Sequence, residues 1–255
     1  MERIIRKYHL SSFFIITMVF SIVLFILHFI FPSAGNYSVS FTQLSPALTV
    51  GFISLVLNER NIIEKIKEKF FLNKSIIRWM IPAITIPFLL IAGSSMVLSF
   101  FNVEFVPWTG SFSFYTISFI AMLIGSTAEE IGWRGFLLPN LQKKHSPFVS
   151  SIIVGILWGV WHLNFTGGIT GFLLYTITII EMSILMTWLY NRTGGSLILM
   201  SLWHLTFNLS SHFFLWDRFG IQLFIVESIL FGIACVILAV MEKYTHFFKR
   251  PLTEW

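Results

Sequence analysis

The chain has 255 residues, of which 56% are hydrophobic and only 11% are charged, and its mean hydropathy is +0.81. A soluble domain of this size carries about 25% charged residues, so the composition predicts an integral membrane protein. The net charge of +5 does not indicate nucleic-acid binding, because in a membrane protein the placement of each charge decides its meaning. The single cysteine, Cys235, excludes a disulfide framework.

The chain begins with a basic segment that contains Arg3, Arg6 and Lys7, and an apolar run follows from Leu10 to Phe31. A cleaved signal peptide is the competing interpretation of this start. The run is longer than the apolar part of a signal peptide needs to be, and it is long enough to cross a bilayer. We therefore predict a retained first transmembrane helix.

Seven further apolar segments are predicted to span the membrane. They cover residues 44–57, 76–100, 112–142, 147–163, 168–190, 196–215 and 221–240. The fourth span is expected to bend at Pro139. Residues 58–74 alternate charged and apolar side chains at helical spacing, with Ile62, Ile63 and Ile66 on one side. This pattern predicts a basic amphipathic helix on the inner membrane surface, with a charged loop as the alternative.

Eight spans place both termini on the same side of the membrane. On that side lie 15 of the 17 Lys and Arg residues, whereas Arg218 lies on the other side and Arg134 lies within the membrane. The excess of basic residues predicts cytoplasmic termini. The expected fold is therefore all-α, a polytopic helical bundle of about eight transmembrane helices in one domain, residues 1–255, in a bacterial plasma membrane.

Three charged residues fall inside the fourth span, in the sequence T-A-E-E-I-G-W-R-G: Glu129, Glu130 and Arg134. Ionisable groups at membrane depth are costly and usually functional. Glu130 and Arg134 have the i, i+4 spacing of a helical ion pair, which predicts a structural task for both. Glu129 points about 100° away on a helix and is left for chemistry. Gly132 and Gly135 would let another helix or a substrate approach.

Two further spans place histidine after tryptophan within an apolar run. The fifth carries Trp158 and His162, and the seventh carries His204 and Asn208, which share one helical face at i and i+4. A single histidine on an apolar face is more often a packing residue than a catalytic one. Two histidines, an asparagine and an acidic pair on three spans indicate a common site, within a core of about residues 112–215.

No Ser or Cys stands beside a histidine in a nucleophile setting, so a covalent mechanism has little support. A carboxylate with imidazoles suits activation of water, and a histidine and an asparagine on one face could donate to an oxyanion. Glu129, His162 and His204 could instead hold a divalent metal such as zinc. The zinc motif H-E-x-x-H is absent, and metal dependence stays open.

The three motifs E-E-I-G-W-R, W-G-V-W-H and H-L-T-F-N resemble the E-E-x-x-x-R, F-x-x-x-H and H-x-x-x-N motifs of one family. This is the CAAX protease and bacteriocin-processing (CPBP, or Abi) family of intramembrane proteases, which includes the type II CAAX prenyl endopeptidases. The family builds its core from eight helices. Its members have been described as metalloproteases and as metal-independent glutamate proteases, and we favour the metal-independent form with no cofactor.

The resemblance also implies roles for individual residues. Glu129 with His162 would activate water, and His204 with Asn208 would form the oxyanion site. Glu130 and Arg134 would hold the arrangement, and the Trp158 side chain, which replaces the family's phenylalanine, would pack against the site or line it.

We therefore expect an intramembrane endopeptidase that cleaves membrane-associated peptides or CAAX-like protein termini. Its partners would be a peptide or protein substrate and the lipid bilayer, and no nucleic acid. A non-catalytic bacteriocin-immunity or peptide-binding protein is the first alternative. A proton-coupled transporter is the second, although the sequence lacks the repeated halves typical of transporters.

Overall fold

The computed structural model describes residues 2–31, 40–70, 74–103, 107–215, 220–242 and 247–249. Within these residues the chain is helical and forms no strand, which confirms the predicted all-α class. The helices are α1 (Glu2–Lys7), α2 (His9–Ile30), α3 (Ser45–Leu57), α4 (Asn61–Lys67), α5 (Lys74–Ile77), α6 (Met80–Phe100), α7 (Phe112–Glu130), α8 (Leu138–Gln142), α9 (Pro147–His162), α10 (Gly168–Arg192), α11 (Leu197–Leu215) and α12 (Ile221–Met241).

All eight predicted apolar segments are helical in the structure. Five stretches of the described chain are long and apolar enough to cross a membrane, namely 10–27, 80–100, 112–142, 168–192 and 221–241. The apolar helices at 41–57 and 147–162 are shorter. The protein is thus a multi-pass membrane protein, while the total of eight crossings and the side of the termini stay predictions. Arg218, Lys243 and Arg250, which entered the charge count, lie outside the described residues.

The predicted amphipathic segment is a helix and not a charged loop. Helix α4 continues into a 3-10 turn, Glu68–Phe70. Ile66 is buried, whereas Lys65 and Lys67 are exposed on the other side. One face therefore packs on the bundle while the other carries the charges.

The fourth span is one continuous helical rod with a change of winding in its middle. Between α7 and α8 the backbone forms a π-helix, Ile131–Leu137, and Pro139 then lies in the first turn of α8. A Cβ atom on Gly132 would overlap the Pro46 side chain, so glycine is what lets α3 approach here. The π-helix therefore begins before Pro139, where the sequence analysis had placed a bend. Such π-helical segments are frequent at functional sites.

Candidate active site

Glu129 occupies the last turn of α7 and is only 1% exposed. Its two carboxylate oxygens each accept a hydrogen bond from another element. Gln43 Nε2 donates to Oε1 at 3.0 Å, and Trp158 Nε1 donates to Oε2 at 2.7 Å. Since bonds to a carboxylate are among the stronger hydrogen bonds in proteins, the two donors fix the orientation of this buried acid.

The neighbouring Glu130 carboxylate makes a separate set of contacts. Arg134 Nη1 lies 3.0 Å from its Oε1, so the ion pair predicted from the i, i+4 spacing is present. His204 Nδ1 lies 2.9 Å from the same oxygen. Because a carboxylate only accepts hydrogen bonds, Nδ1 of His204 carries the proton. The sequence did not indicate this link between the first and third motifs.

Trp158 lies at the centre of the site. Its indole ring holds Glu129 as described, lies 4.3 Å from the Arg134 guanidinium carbon and contacts the His204 ring at a centroid distance of 5.2 Å. Its backbone carbonyl also accepts a hydrogen bond from His162 Nδ1 at 2.8 Å. The sequence predicted a packing or lining residue here, whereas the structure shows a donor and a stacking surface that joins all three motifs.

His162 ends α9, and Leu163 directly after it adopts a left-handed conformation with a φ of 48°. That conformation is uncommon for residues other than glycine, so the helix stops at this histidine. With its Nδ1 proton given to a carbonyl, the neutral ring keeps a lone pair on Nε2. In the described part of the chain no hydrogen bond joins His162 to Glu129; Trp158 connects the two.

Asn208 is held against the fourth span by a serine that the sequence analysis missed. Its Nδ2 atom donates to Ser126 Oγ at 3.1 Å. Ser126 stands one helical turn before Glu130, so the amide lies close to the first motif. One amide hydrogen remains for another acceptor.

Gln43 was also missed, because it lies far from the motifs in a 3-10 helix, Phe41–Leu44, before α3. Gly125, one turn before Glu129, provides the space for it. A Cβ atom there would lie 2.7 Å from Gln43 Cδ and closer still to the amide oxygen. In the sequence, the one indication that another side chain packs here is the i, i+4 spacing of Gly125 and Glu129, which leaves an open space one turn before the acid.

The candidate zinc ligands Glu129, His162 and His204 do not form a grouped ligand set. Among the residues that the structure describes, no three His, Cys, Asp or Glu side chains are grouped so as to hold a metal ion. We therefore derive no step through a metal.

An apolar groove of about 340 Å³ runs beside the site. It lies between the 3-10 helix and the middle of α7 and ends at Gly125, one turn from Glu129. Its lining residues are Ser40, Phe41, Leu44, Ile117, Ile120, Ala121, Ile124 and Gly125.

Comparison with known families connects this geometry to a protein class. A family described as "Type II CAAX prenyl endopeptidase Rce1-like" matches residues 111–210, which contain all three motifs. Residues 111–210 are therefore similar to this family. The chain is also 28% identical over 230 residues to "CAAX prenyl protease 2" of Methanococcus maripaludis, covering 80% of this chain and 84% of that relative.

These matches confirm the predicted resemblance and support an intramembrane endopeptidase. The matched region begins at the start of α7 and extends into α11, so it includes the helices that present Glu129, Trp158 and His204. Gln43 lies outside it. The catalytic roles of single residues stay predictions.

Proposed function

We propose that the protein hydrolyses a peptide bond of a membrane-associated substrate with water activated by Glu129 and His162. The observation that carries this proposal is the pair of donors on Glu129, from Gln43 and Trp158. They hold a buried carboxylate in one orientation, and Trp158 also holds His162.

The first step is attack by water on the scissile carbonyl carbon. Each oxygen of Glu129 accepts one hydrogen bond and so keeps a further lone pair. Water that donates to that lone pair, or to Nε2 of His162, loses a proton as its oxygen bonds to carbon. The carbon–nitrogen bond then breaks, and the same proton passes to the leaving amine.

The negative charge that develops on the carbonyl oxygen needs donors. We assign this task to Asn208, whose remaining amide hydrogen is free once Ser126 has accepted the other, and to His204. His204 can donate from Nε2 only as an imidazolium, because Nδ1 already donates to Glu130. Two cations, Arg134 and this imidazolium, would then share the Glu130 carboxylate.

We further propose that an apolar part of the substrate lies in the groove that ends at Gly125. The groove connects the lipid-facing surface of α7 with the turn that precedes Glu129. A CAAX-like terminus, which the name of the relative from Methanococcus maripaludis suggests, or another membrane-associated peptide would bring apolar groups of this kind.

The test is cleavage of a membrane-associated reporter peptide by purified full-length protein. Removing the general base is expected to lower kcat by about 10²- to 10⁴-fold, in Glu129→Gln and in His162→Ala. The matched controls are Glu181→Gln, an acid of α10, and His212→Ala, whose Nδ1 also bonds a backbone carbonyl one turn back. Both controls should keep the wild-type rate.

Two results would contradict the proposal. The first is a wild-type protein that binds the peptide and releases no product, as a peptide-binding protein would. Alternatively, Glu129→Gln could cleave as fast as its Glu181→Gln control. A chelator in the same assay is expected to leave the rate unchanged, and a loss that zinc restores would identify a metalloprotease instead.

A further inference from the structure

A second cavity lies away from the catalytic residues and has a volume of about 790 Å³. Its walls come from α4 and from the parts of α3, α5, α8 and α10 that the charge pattern predicts to face the cytoplasm. Gly135 and Phe136 line it, whereas Glu129, His162 and His204 do not. Trp133, Arg134 and Leu137 of the same π-helix are buried and do not line it.

The lining of this cytoplasmic cavity is strongly cationic. Its charged side chains are five bases, Lys65, Lys69, Arg78, Lys143 and Arg192, and two acids, Glu59 and Glu68. Arg192 is paired with Glu242 outside the cavity. Lys69 donates to the Tyr190 hydroxyl at 2.8 Å, and Lys143 donates to an amide oxygen.

Two of the five bases make neither a hydrogen bond nor an ion pair with the part of the chain that the structure describes. Among the described residues, neither Lys65 nor Arg78 pairs with a carboxylate, and Arg78 only lies over the ring of Trp79. Both side chains are exposed at the mouth of the cavity. They are therefore available for an anion.

The floor of the cavity is apolar, unlike that of a site for a small soluble anion. Ile62, Ile76, Trp79, Phe136 and Pro139 contribute to it. A ligand that satisfies both parts of the lining is an amphiphile with a negatively charged head. Basic pockets at the cytoplasmic surface of membrane proteins bind anionic lipid head groups for this electrostatic reason.

We propose that the cytoplasmic cavity binds the phosphate head group of an anionic phospholipid, with Lys65 and Arg78 on the phosphate and the glycerol and first methylenes over the apolar floor. Lys69 contributes from deeper in the cavity. Burial lowers the pKa of the Lys69 ammonium, and a phosphate nearby would offset that loss of hydration.

The bound lipid would connect the amphipathic helix to the fourth span. Ile66 of α4 packs 3.6 Å from the position of a Cβ on Gly135, which follows Arg134 directly in the π-helix. A lipid that contacts α4 on one side and Phe136 on the other holds these two elements together. Occupancy is therefore expected to raise Tm.

The test measures lipid binding to the full-length protein in detergent micelles. Binding of phosphatidylglycerol is compared with that of phosphatidylcholine with the same acyl chains. Native mass spectrometry counts the retained lipid molecules, and Tm is recorded for each lipid. Phosphatidylglycerol should bind preferentially and raise Tm. The double variant Lys65→Gln/Arg78→Gln should weaken its apparent affinity by about tenfold or more.

The matched control is Lys67→Gln/Lys144→Gln, which removes the same charge from exposed side chains that do not line the cavity. It should bind phosphatidylglycerol like the wild type. An equal loss in the control would mean diffuse surface attraction and overturn the proposal, as would equal binding of the two lipids. Competition by inorganic phosphate at the same concentration would identify a soluble anion instead. None of these outcomes bears on peptide cleavage.

Discussion

The amide of Gln43 offers a direct test of how Glu129, the proposed catalytic residue, is positioned. Gln43→Ala removes the donor to Glu129 Oε1, 3.0 Å away, and leaves the donor from Trp158 in place. The carboxylate can then rotate about the remaining bond. Because Gln43 contacts the acid, the expected loss is in kcat, with KM little changed.

The size of the effect follows from the burial of the acid. Hydrogen bonds to charged groups contribute about 1.5–3 kcal/mol, and Glu129 is only 1% exposed, so water replaces the lost donor poorly. Each 1.36 kcal/mol is tenfold in rate. If the lost bond is fully expressed in the transition state, kcat should fall about 10- to 100-fold.

Gly125→Ala probes the same contact from the other side. Its methyl group would occupy the space of the Gln43 amide and should lower kcat by a similar factor. In the double variant Gly125→Ala/Gln43→Ala the overlap disappears, so its kcat should match that of Gln43→Ala alone. This is a double-mutant cycle, measured by peptide cleavage at saturating substrate.

Gly51→Ala is the control, since a Cβ atom there meets nothing within 4 Å. It should behave as the wild type. Multiplicative losses in the double variant would show that Gly125 acts independently of Gln43. A Gln43→Ala protein that is folded and keeps its kcat within about twofold would refute the positioning role.

Three further changes have expected outcomes. Trp158→Phe keeps an aromatic ring, as in the family's motif, but removes the indole donor to Glu129. We expect kcat in the cleavage assay to fall about tenfold or more and Tm in thermal unfolding to change little. Arg134→Met leaves Glu130 buried without its guanidinium partner and should cost about 3–5 kcal/mol of stability in denaturant unfolding; a cost under about 1 kcal/mol would contradict the importance of the ion pair. Gly132→Ala overpacks the contact with α3 and should lower the unfolding free energy by about 1–3 kcal/mol relative to the Gly51→Ala control.

The sequence predicted the apolar segments well, because hydrophobic length is a strong signal in a membrane protein. The predicted start of the span at 112 and its end near 142 agree with the structure, and the Glu130–Arg134 pair follows from helical spacing. Local periodicity was enough to predict these features. It could not predict contacts between distant helices, since nothing near Gln43 or Ser126 in the sequence indicates which helix each will face.

The π-helix in the fourth span could not be predicted from the sequence either. The prediction placed its irregularity at Pro139, the residue with a known effect on helices, whereas the π-helix starts earlier, at Ile131. Its glycines were correctly interpreted as points of close approach, with Pro46 against Gly132. The bond between His204 and Glu130 depends on this three-dimensional packing and could not be found from spacing alone.

A π-helix closes its hydrogen bonds over five residues where an α-helix needs four, so the segment 131–137 holds backbone that a regular helix would not need. Rewinding the same residues as an α-helix, with none deleted, would turn everything beyond them by about 100° relative to Glu129. Phe136 and Asn140 would then leave the cytoplasmic cavity even though every motif residue is retained. The winding between Glu129 and Pro139 is therefore itself a constraint on which side chains line that cavity.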